Sequence, residues 1–238
     1  MKKQLIWALV PARGGSKTIA RKNLANLAGR PLLDYGVRAV QASGRCSRII
    51  CSTDDRIIGD RAVKLGIEVD WRPESLATDE AAVADVARDF LLRQPIKPDI
   101  LILVQPTSPF LLPRHVEDLM DLTTHLPDSN SFQTICAIPH NYHTWNQRLR
   151  EEKYVRFMYA EERRSAYNKQ RKPKVYSFGN LVAVKSIALL GGMDFFAEPS
   201  VGSIIKWPYS LDVDGPDDLR LAEAILQACL VQLDHLNS

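Results

Sequence analysis

Apolar residues in this chain fall into short, largely unbroken runs. Leu5–Val10 (LIWALV), Arg48–Ser52 (RIICS), Ile67–Trp71 and Asp99–Val104 (DILILV) are the first four, followed by Ser131–Pro139 (SFQTICAIP), Leu181–Val184 and Ile204–Trp207 (IIKW). Continuous runs of this length predict strands buried on both faces. Helical patterns lie between them. Pro31 opens a helix whose apolar positions run from Leu32 to Val40, with Arg38 and Gln41 on the wet side and Gly44 as its stop. Asp54 is placed to cap a helix over Arg56–Leu65 that ends at Gly66, and Thr78 or Asp79 to cap one over Glu80–Leu92. Pro113 opens a helix to Leu122, and Asp217 caps a last one through Leu233 with Leu219, Ala222, Ile225, Leu226 and Cys229 as its core face. Strand and helix alternating at this spacing predict βαβ units, so the fold class is α/β, a mostly parallel sheet flanked by helices in one domain over 1–238. From His140 to Lys174 the alternation stops and His, Tyr, Asn, Arg and Lys dominate. That stretch reads as an inserted arm.

The polar positions that interrupt this pattern carry the chemistry. Pro11 ends the first strand, and Arg13, Gly14, Gly15, Ser16, Lys17, Arg21 and Lys22 follow within a few residues. Glycines let a backbone turn bring its N–H groups close to a ligand, and flanking cations make such a turn a phosphate cradle. Four cations (Arg13, Lys17, Arg21, Lys22) suit a triphosphate better than a single phosphate. The order of residues is neither that of the G-x-x-x-x-G-K-[ST] loop nor that of the G-x-G-x-x-G dinucleotide turn. Arg72 leaves the end of a strand just before Pro73, and Gln105 ends the most apolar strand, where its amide can both donate and accept. Asp212 and Asp214 stand two apart around Val213. In an extended segment both face one way, which makes a Mg²⁺ platform beside a triphosphate.

Composition narrows the setting. With 238 residues, 45% of them hydrophobic, the chain can bury a sizeable core, and a net charge of +3 gives no global pull toward nucleic acid or membrane. Cys46, Cys51, Cys136 and Cys229 show no C-x-x-C pair, so they read as reduced, packed thiols. Lys2 and Lys3 precede an apolar run that Arg13 cuts short, and no run approaches the ~18 residues of a membrane span. The expectation is a soluble, cytoplasmic protein.

Several motifs together resemble a known family. P-A-R-G-G-S-K, R-K-N-L, L-A-G-R-P-L-L, the R-P-x-x-L-A-T-D segment from Arg72, L-V-Q-P-T-S-P around Gln105 and D-V-D at Asp212–Asp214 are similar to the acylneuraminate cytidylyltransferases, and more broadly to sugar-activating nucleotidyltransferases. The resemblance implies a Rossmann-like sheet and a reaction in which CTP and a sugar acid give a CMP-sugar and pyrophosphate. It assigns nucleotide binding to Ala12, Arg13, Gly14, Gly15, Ser16, Lys17, Lys22, Arg72 and Gln105. It assigns catalytic roles to Arg13, Lys17, Lys22 and Asp212, Mg²⁺ to Asp212 and Asp214, and acceptor contacts to Gln105 and Asn180. It also implies a homodimer gripped by the arm at 140–174, which covers the acceptor.

Three departures from the family pattern stand out. Ala82 and Val83 occupy places where relatives carry a serine hydroxyl for cytosine, His140–Asn146 lacks the usual lysine, and Tyr176–Asn180 lacks the arginine of R-P-N-G. Arg148, Arg163, Arg164, Lys169, Arg171 and Lys172 are the arm cations available in their stead. Two other readings remain open at this point: a nucleotidyltransferase using another base or a sugar phosphate, and a non-catalytic nucleotide-binding protein on the same fold.

Overall fold

The structure, a computed structural model, describes residues 4–166 and 168–237, with the backbone alone at Lys169. Lys2, Lys3 and the Lys169 side chain, named above, lie outside the described residues. The chain begins with β1 (Ile6–Pro11), a two-residue hairpin of β2 (Asn26–Leu27) and β3 (Arg30–Pro31), and α1 (Leu32–Ser43). Then come β4 (Arg48–Thr53), α2 (Arg56–Lys64), β5 (Glu68–Trp71), α3 (Val83–Arg93), β6 (Ile100–Val104), α4 (Pro113–His125) and β7 (Ser131–Ala137). The arm holds the hairpin of β8 (Arg148–Glu151) and β9 (Tyr154–Phe157) and the short α5 (Ala160–Ser165). β10 (Tyr176–Lys185), α6 (Ser186–Leu190), β11 (Ser200–Ile205) and α7 (Pro216–Gln227) complete the fold.

The buried runs assemble into one seven-stranded sheet in the order β11–β7–β10–β6–β1–β4–β5. β1 pairs in parallel with both β4 and β6, and β11 in parallel with β7, while β10 runs against its neighbours β6 and β7. Both faces are covered. Ile6, Ala8 and Val10 pack with Val37, Ile58 and Leu119 of α1, α2 and α4, and the alternate residues Trp7 and Leu9 pack with Phe90 of α3 and Leu189 of α6. The two-residue alternation along β1 is the pleat dividing one strand between two cores. A third cluster joins Tyr35, Phe110, Val213 and Ile225 and anchors α7.

Chain order reverses at β1, whose next sheet strand, β4, lies on one side while β6 lies on the other. Such a switch point splays the loops at the carboxyl ends of the strands and opens a crevice there. The loops after β1 and β6 border it, as does the loop after β5. β10 carries an irregularity between Phe178 and Val182. Thr134 of β7 explains it: its Oγ1 accepts from the N–H groups of both Asn180 (2.8 Å) and Leu181 (2.9 Å). At Gly179 a Cβ would lie 2.5 Å from that same oxygen, so only glycine fits.

The helix caps correct several sequence expectations. α2 is capped by Asp55, whose Oδ1 accepts from Ile57 and Ile58, and not by Asp54. α3 starts at Val83 with Ala82 as N-cap and no side-chain cap, so neither Thr78 nor Asp79 has that role. α7 is capped at Gly215 through Asp218, whose Oδ2 accepts from the N–H groups of Asp214 and Gly215. Asp217 is exposed and pairs with Arg220 one turn on. α7 also stops at Gln227, leaving Cys229 exposed in the left-handed region (φ 54°) instead of on a core face. All four cysteines are unpaired thiols, and burial pushes those of Cys46 and Cys51 up to about 12. No helix among the described residues is long and apolar enough to cross a membrane.

Candidate active site

A cavity of about 600 Å³ occupies the crevice. The loop after β1 supplies Arg13, Gly15, Ser16, Lys17, Thr18 and Lys22. Arg72 enters from the end of β5, Thr78, Asp79, Ala81 and Val83 from the approach to α3, Gln105 to Thr107 from the end of β6, and Asp214 from the turn before α7. Parallel pairing brings these segments together, because β1, β5 and β6 all end on the same edge.

The loop after β1 is held from both sides. Asn23 donates to the Arg13 carbonyl (2.9 Å) and Thr18 Oγ1 to the Asp214 carbonyl (2.7 Å). Gly14 gives its N–H to Asp54 (2.9 Å), and a Cβ at Gly14 would stand 2.7 Å from the Cβ of Asp55. The glycine is therefore demanded by the close approach of the β4–α2 turn, and its N–H is not turned to a ligand. Gly15 faces open space and does line the cavity. Ala12 is wholly buried, with its N–H bonded to the Ser52 carbonyl, so it supports the loop from beneath.

Each of the four loop cations meets a carboxylate. Arg13 and Lys17 both pair with Asp79, the latter at 2.7 Å, Arg21 reaches Asp55 at 3.5 Å, and Lys22 reaches Asp214 at 3.1 Å. Lys17 and Arg13 together hold the Asp79 carboxyl below the usual carboxylate range. Arg72 is fixed by a bond from its Nη2 to the Ser52 carbonyl (2.9 Å), and burial lowers its pKa, partly opposed by Asp54.

The two aspartates of D-V-D do not act as a matched pair. Val213 is fully buried between them, as an extended segment requires, but only Asp214 lines the cavity. Asp212 is half-buried and accepts from Ser108 Oγ (3.2 Å) in the loop after β6, which leaves its other oxygen free of that bond. Asn180 departs furthest from expectation. It is wholly buried, its Oδ1 accepts from Thr134 Oγ1 (3.1 Å), and its Nδ2 donates to the Tyr209 carbonyl (2.9 Å) and His115 Nδ1 (3.1 Å). With both amide hydrogens spent and no exposed surface, Asn180 does not line the cavity, which corrects its reading as an acceptor contact.

Sequence reading missed Asp79 as the partner of Arg13 and Lys17, and Asp54 as the anchor of Gly14. Both follow strands and stand next to competing acids or hydroxyls. The signal for both was their position beyond the carboxyl ends of parallel strands, and for Asp79 also its place at the end of R-P-x-x-L-A-T-D. In the arm, Arg148 and Arg163 lie over Phe157 from 4.5 and 4.1 Å, and Lys172 donates to Asn146 (2.6 Å), so these cations hold the arm's own structure.

Similarity to known proteins agrees with this geometry. Over 228 residues the chain is 28% identical to CMP-N,N'-diacetyllegionaminic acid synthase of Legionella pneumophila, covering 93% of this chain and 96% of that protein. It is 29% identical over 225 residues to the N-acylneuraminate cytidylyltransferase of Escherichia coli, covering 93% of this chain but only 52% of that longer protein. Among solved structures, a CMP:2-keto-3-deoxy-manno-octonic acid synthetase complexed with CTP matches the fold with a TM-score of 0.72 at 17% identity, covering 94% of this chain and 99% of that one. A model of the family described as cytidylyltransferase matches residues 7–178. That span runs from β1 to the irregularity of β10 and takes in every cavity-lining segment except the turn at Asp214, so the chain belongs to the cytidylyltransferase family.

Proposed function

We propose that this protein activates a sialic-acid-like (nonulosonic) sugar acid with CTP, giving a CMP-sugar and pyrophosphate. The observation that carries the reading is the cavity itself, where Arg13, Lys17, Lys22, Gln105 and Asp214 converge at the carboxyl ends of β1 and β6 in a chain of this family. The names of the similar proteins, a legionaminic acid synthase and an acylneuraminate cytidylyltransferase, support the choice of base and acceptor class.

In this account Arg13, Ser16, Lys17, Lys22 and the N–H of Gly15 hold the triphosphate. The acceptor hydroxyl attacks the α-phosphorus and releases its proton to water, a new P–O bond forms, the bond to the bridging oxygen breaks, and pyrophosphate leaves with its charge met by the same cations. The protein's contribution is positioning and charge neutralisation. Arg72 and Gln105 contact the nucleoside, whose ring rests against Val83, Val86 and Leu103. With Ala82 and Val83 in place of a hydroxyl, cytosine is read by Arg72, Gln105 and backbone groups.

The donor set fits Mg²⁺: Asp214 offers an exposed carboxylate in the cavity and Asp212 a second hard oxygen nearby, and that ion favours one or two carboxylates with phosphate oxygens and water. When bound it supplies charge neutralisation on the phosphates. The arm presents Tyr142, Tyr154 and Val155 to solvent, an apolar edge that supports a homodimer. Unpaired thiols throughout fit a reducing compartment, the cytoplasm.

Pyrophosphate release tests the reading: CTP and Mg²⁺ with a set of nonulosonic acids should give pyrophosphate in step with one acid consumed. Release with none of them, alongside a melting temperature unmoved by CTP, would overturn it. One specific observation, the missing hydroxyl at Ala82 and Val83, favours a different base as the second reading. A thermal-shift panel of the four nucleoside triphosphates separates the two, since the bound triphosphate raises the melting temperature.

A further inference from the structure

Asp79 takes both Arg13 and Lys17, two cations from the loop that also lines the cavity. It sits in the irregular segment between the end of β5 and the start of α3. Among the described residues, no backbone–backbone hydrogen bond engages residues 78–81. The segment is thus tied to the loop after β1 through one carboxylate. The same segment forms part of the cavity wall through Thr78, Ala81 and Val83.

Resting on the reading of the loop as a triphosphate site, we propose that Asp79 is a latch that holds Arg13 and Lys17 as a phosphate would, yields them to a polyphosphate and so selects for one. A carboxylate between two cations presents the charge and acceptor geometry of a phosphate oxygen pair. An incoming ligand must replace both contacts to release it. A nucleoside offers nothing in exchange, whereas a triphosphate can satisfy Arg13 and Lys17 together. Release frees residues 78–82 to settle around the nucleoside. When pyrophosphate departs, Arg13 and Lys17 lose their anion and Asp79 returns, which loosens the wall around a product carrying one phosphate.

The test uses Asp79→Asn and titrations with inorganic tripolyphosphate, CTP and cytidine, each with and without Mg²⁺. Asp79 is partly exposed at the protein surface and caps no helix, so the variant should melt with the wild type. It should bind tripolyphosphate and CTP about three- to tenfold more tightly, the scale of two half-exposed ion pairs, with cytidine affinity unchanged. In the wild type, tripolyphosphate alone should speed amide exchange at 77–82, and in the variant it should not. Unchanged or weaker tripolyphosphate binding by the variant overturns the latch; a loss confined to Mg²⁺ conditions does so by making Asp79 a metal ligand. Lys17→Ala separates the two levels. If it binds tripolyphosphate as the wild type does, the phosphate-loop reading itself fails. If it binds more weakly while Asp79→Asn binds no tighter, only the latch fails.

Discussion

Two polar clusters lie on this sheet, one of ion pairs and one of neutral hydrogen bonds, and they are opposite in character. Around the loop after β1, Arg13, Lys17, Lys22, Asp79 and Asp214 are all paired, but the pairs are partly open to water, with Asp214 82% exposed. Around β10, Asn180 is paired just as fully with Thr134, His115 and the Tyr209 carbonyl, with no exposed surface at all. Exposed ion pairs are worth about 0–1 kcal/mol, so a triphosphate can exchange with them. A buried group that loses its partner costs about 1–3 kcal/mol, so the second cluster keeps its partners and sets the shape of the fold. In sequence a polar residue beside a strand looks alike in both settings. Burial and spent hydrogen-bonding capacity decide which it is.

The contrast breaks first at Asp214. Asp214→Asn keeps size but removes the negative charge in the cavity, and turnover should fall by about a hundredfold or more. Its melting temperature should stay close to the wild type, because the Lys22–Asp214 pair is exposed at the carboxylate. An active Asp214→Asn enzyme would contradict the account of the open cluster.

In the closed cluster the expected loss is of stability. Asn180→Ala leaves the Tyr209 carbonyl without its donor, while His115 Nδ1 keeps the Leu112 N–H and Thr134 Oγ1 the Leu181 carbonyl, so the cost should be about 1–3 kcal/mol. The nucleotide affinity of the folded fraction should hold. A variant that melts normally but binds CTP weakly would return Asn180 to the site.

His115 sharpens the contrast by pH. It is buried, and its Nδ1 accepts from the Leu112 N–H (3.3 Å) as well as from Asn180, so the ring is neutral at that atom. Burial, with a smaller push from Arg114, lowers its pKa from 6.5 to about 4. Between those values the unfolded chain takes a proton that the fold refuses. This contribution is complete above pH 6.5 and is lost as pH falls toward 4, amounting to about 3 kcal/mol. The difference in melting temperature between the wild type and His115→Asn should change across that window and stay flat above it.

The smallest expected effect separates two neighbouring acids. Asp218→Ala removes the acceptor for the Asp214 and Gly215 N–H groups and should cost about 0.5–2 kcal/mol. Asp217→Ala, at an exposed i,i+3 pair, should cost under about 0.5 kcal/mol. Equal losses would mean that the cap is shared.

These neighbours also mark how far the sequence could be read. The strands were legible because a run such as Ile100–Val104, buried along its whole length, has only one comfortable place in an α/β domain. That Arg13, Lys17, Lys22 and Gln105 meet at one cavity was legible because their strands end on one edge. What was hidden is the choice among adjacent acids. Asp54 and Asp55 follow the same strand, yet one holds Gly14 and the other caps α2. Asp217 and Asp218 differ by a 100° turn of one helix. Backbone direction at a single residue makes each choice, and local spacing carries little of that information. Asp79 was hidden for a further reason: its partners lie some sixty residues earlier and meet it only once β1 and β5 are in the sheet.

On the proposed function, the open cluster binds the nucleotide while the closed one holds the fold. Calorimetric titration of CTP with Mg²⁺ into the wild type, Lys22→Ala and folded Asn180→Ala tests it most directly. Lys22 is mostly covered and lines the cavity, so its loss should weaken CTP by about 1.5–3 kcal/mol while Asn180→Ala matches the wild type. Equal binding by Lys22→Ala and the wild type, or a loss of CTP binding at Asn180→Ala alone, would contradict it.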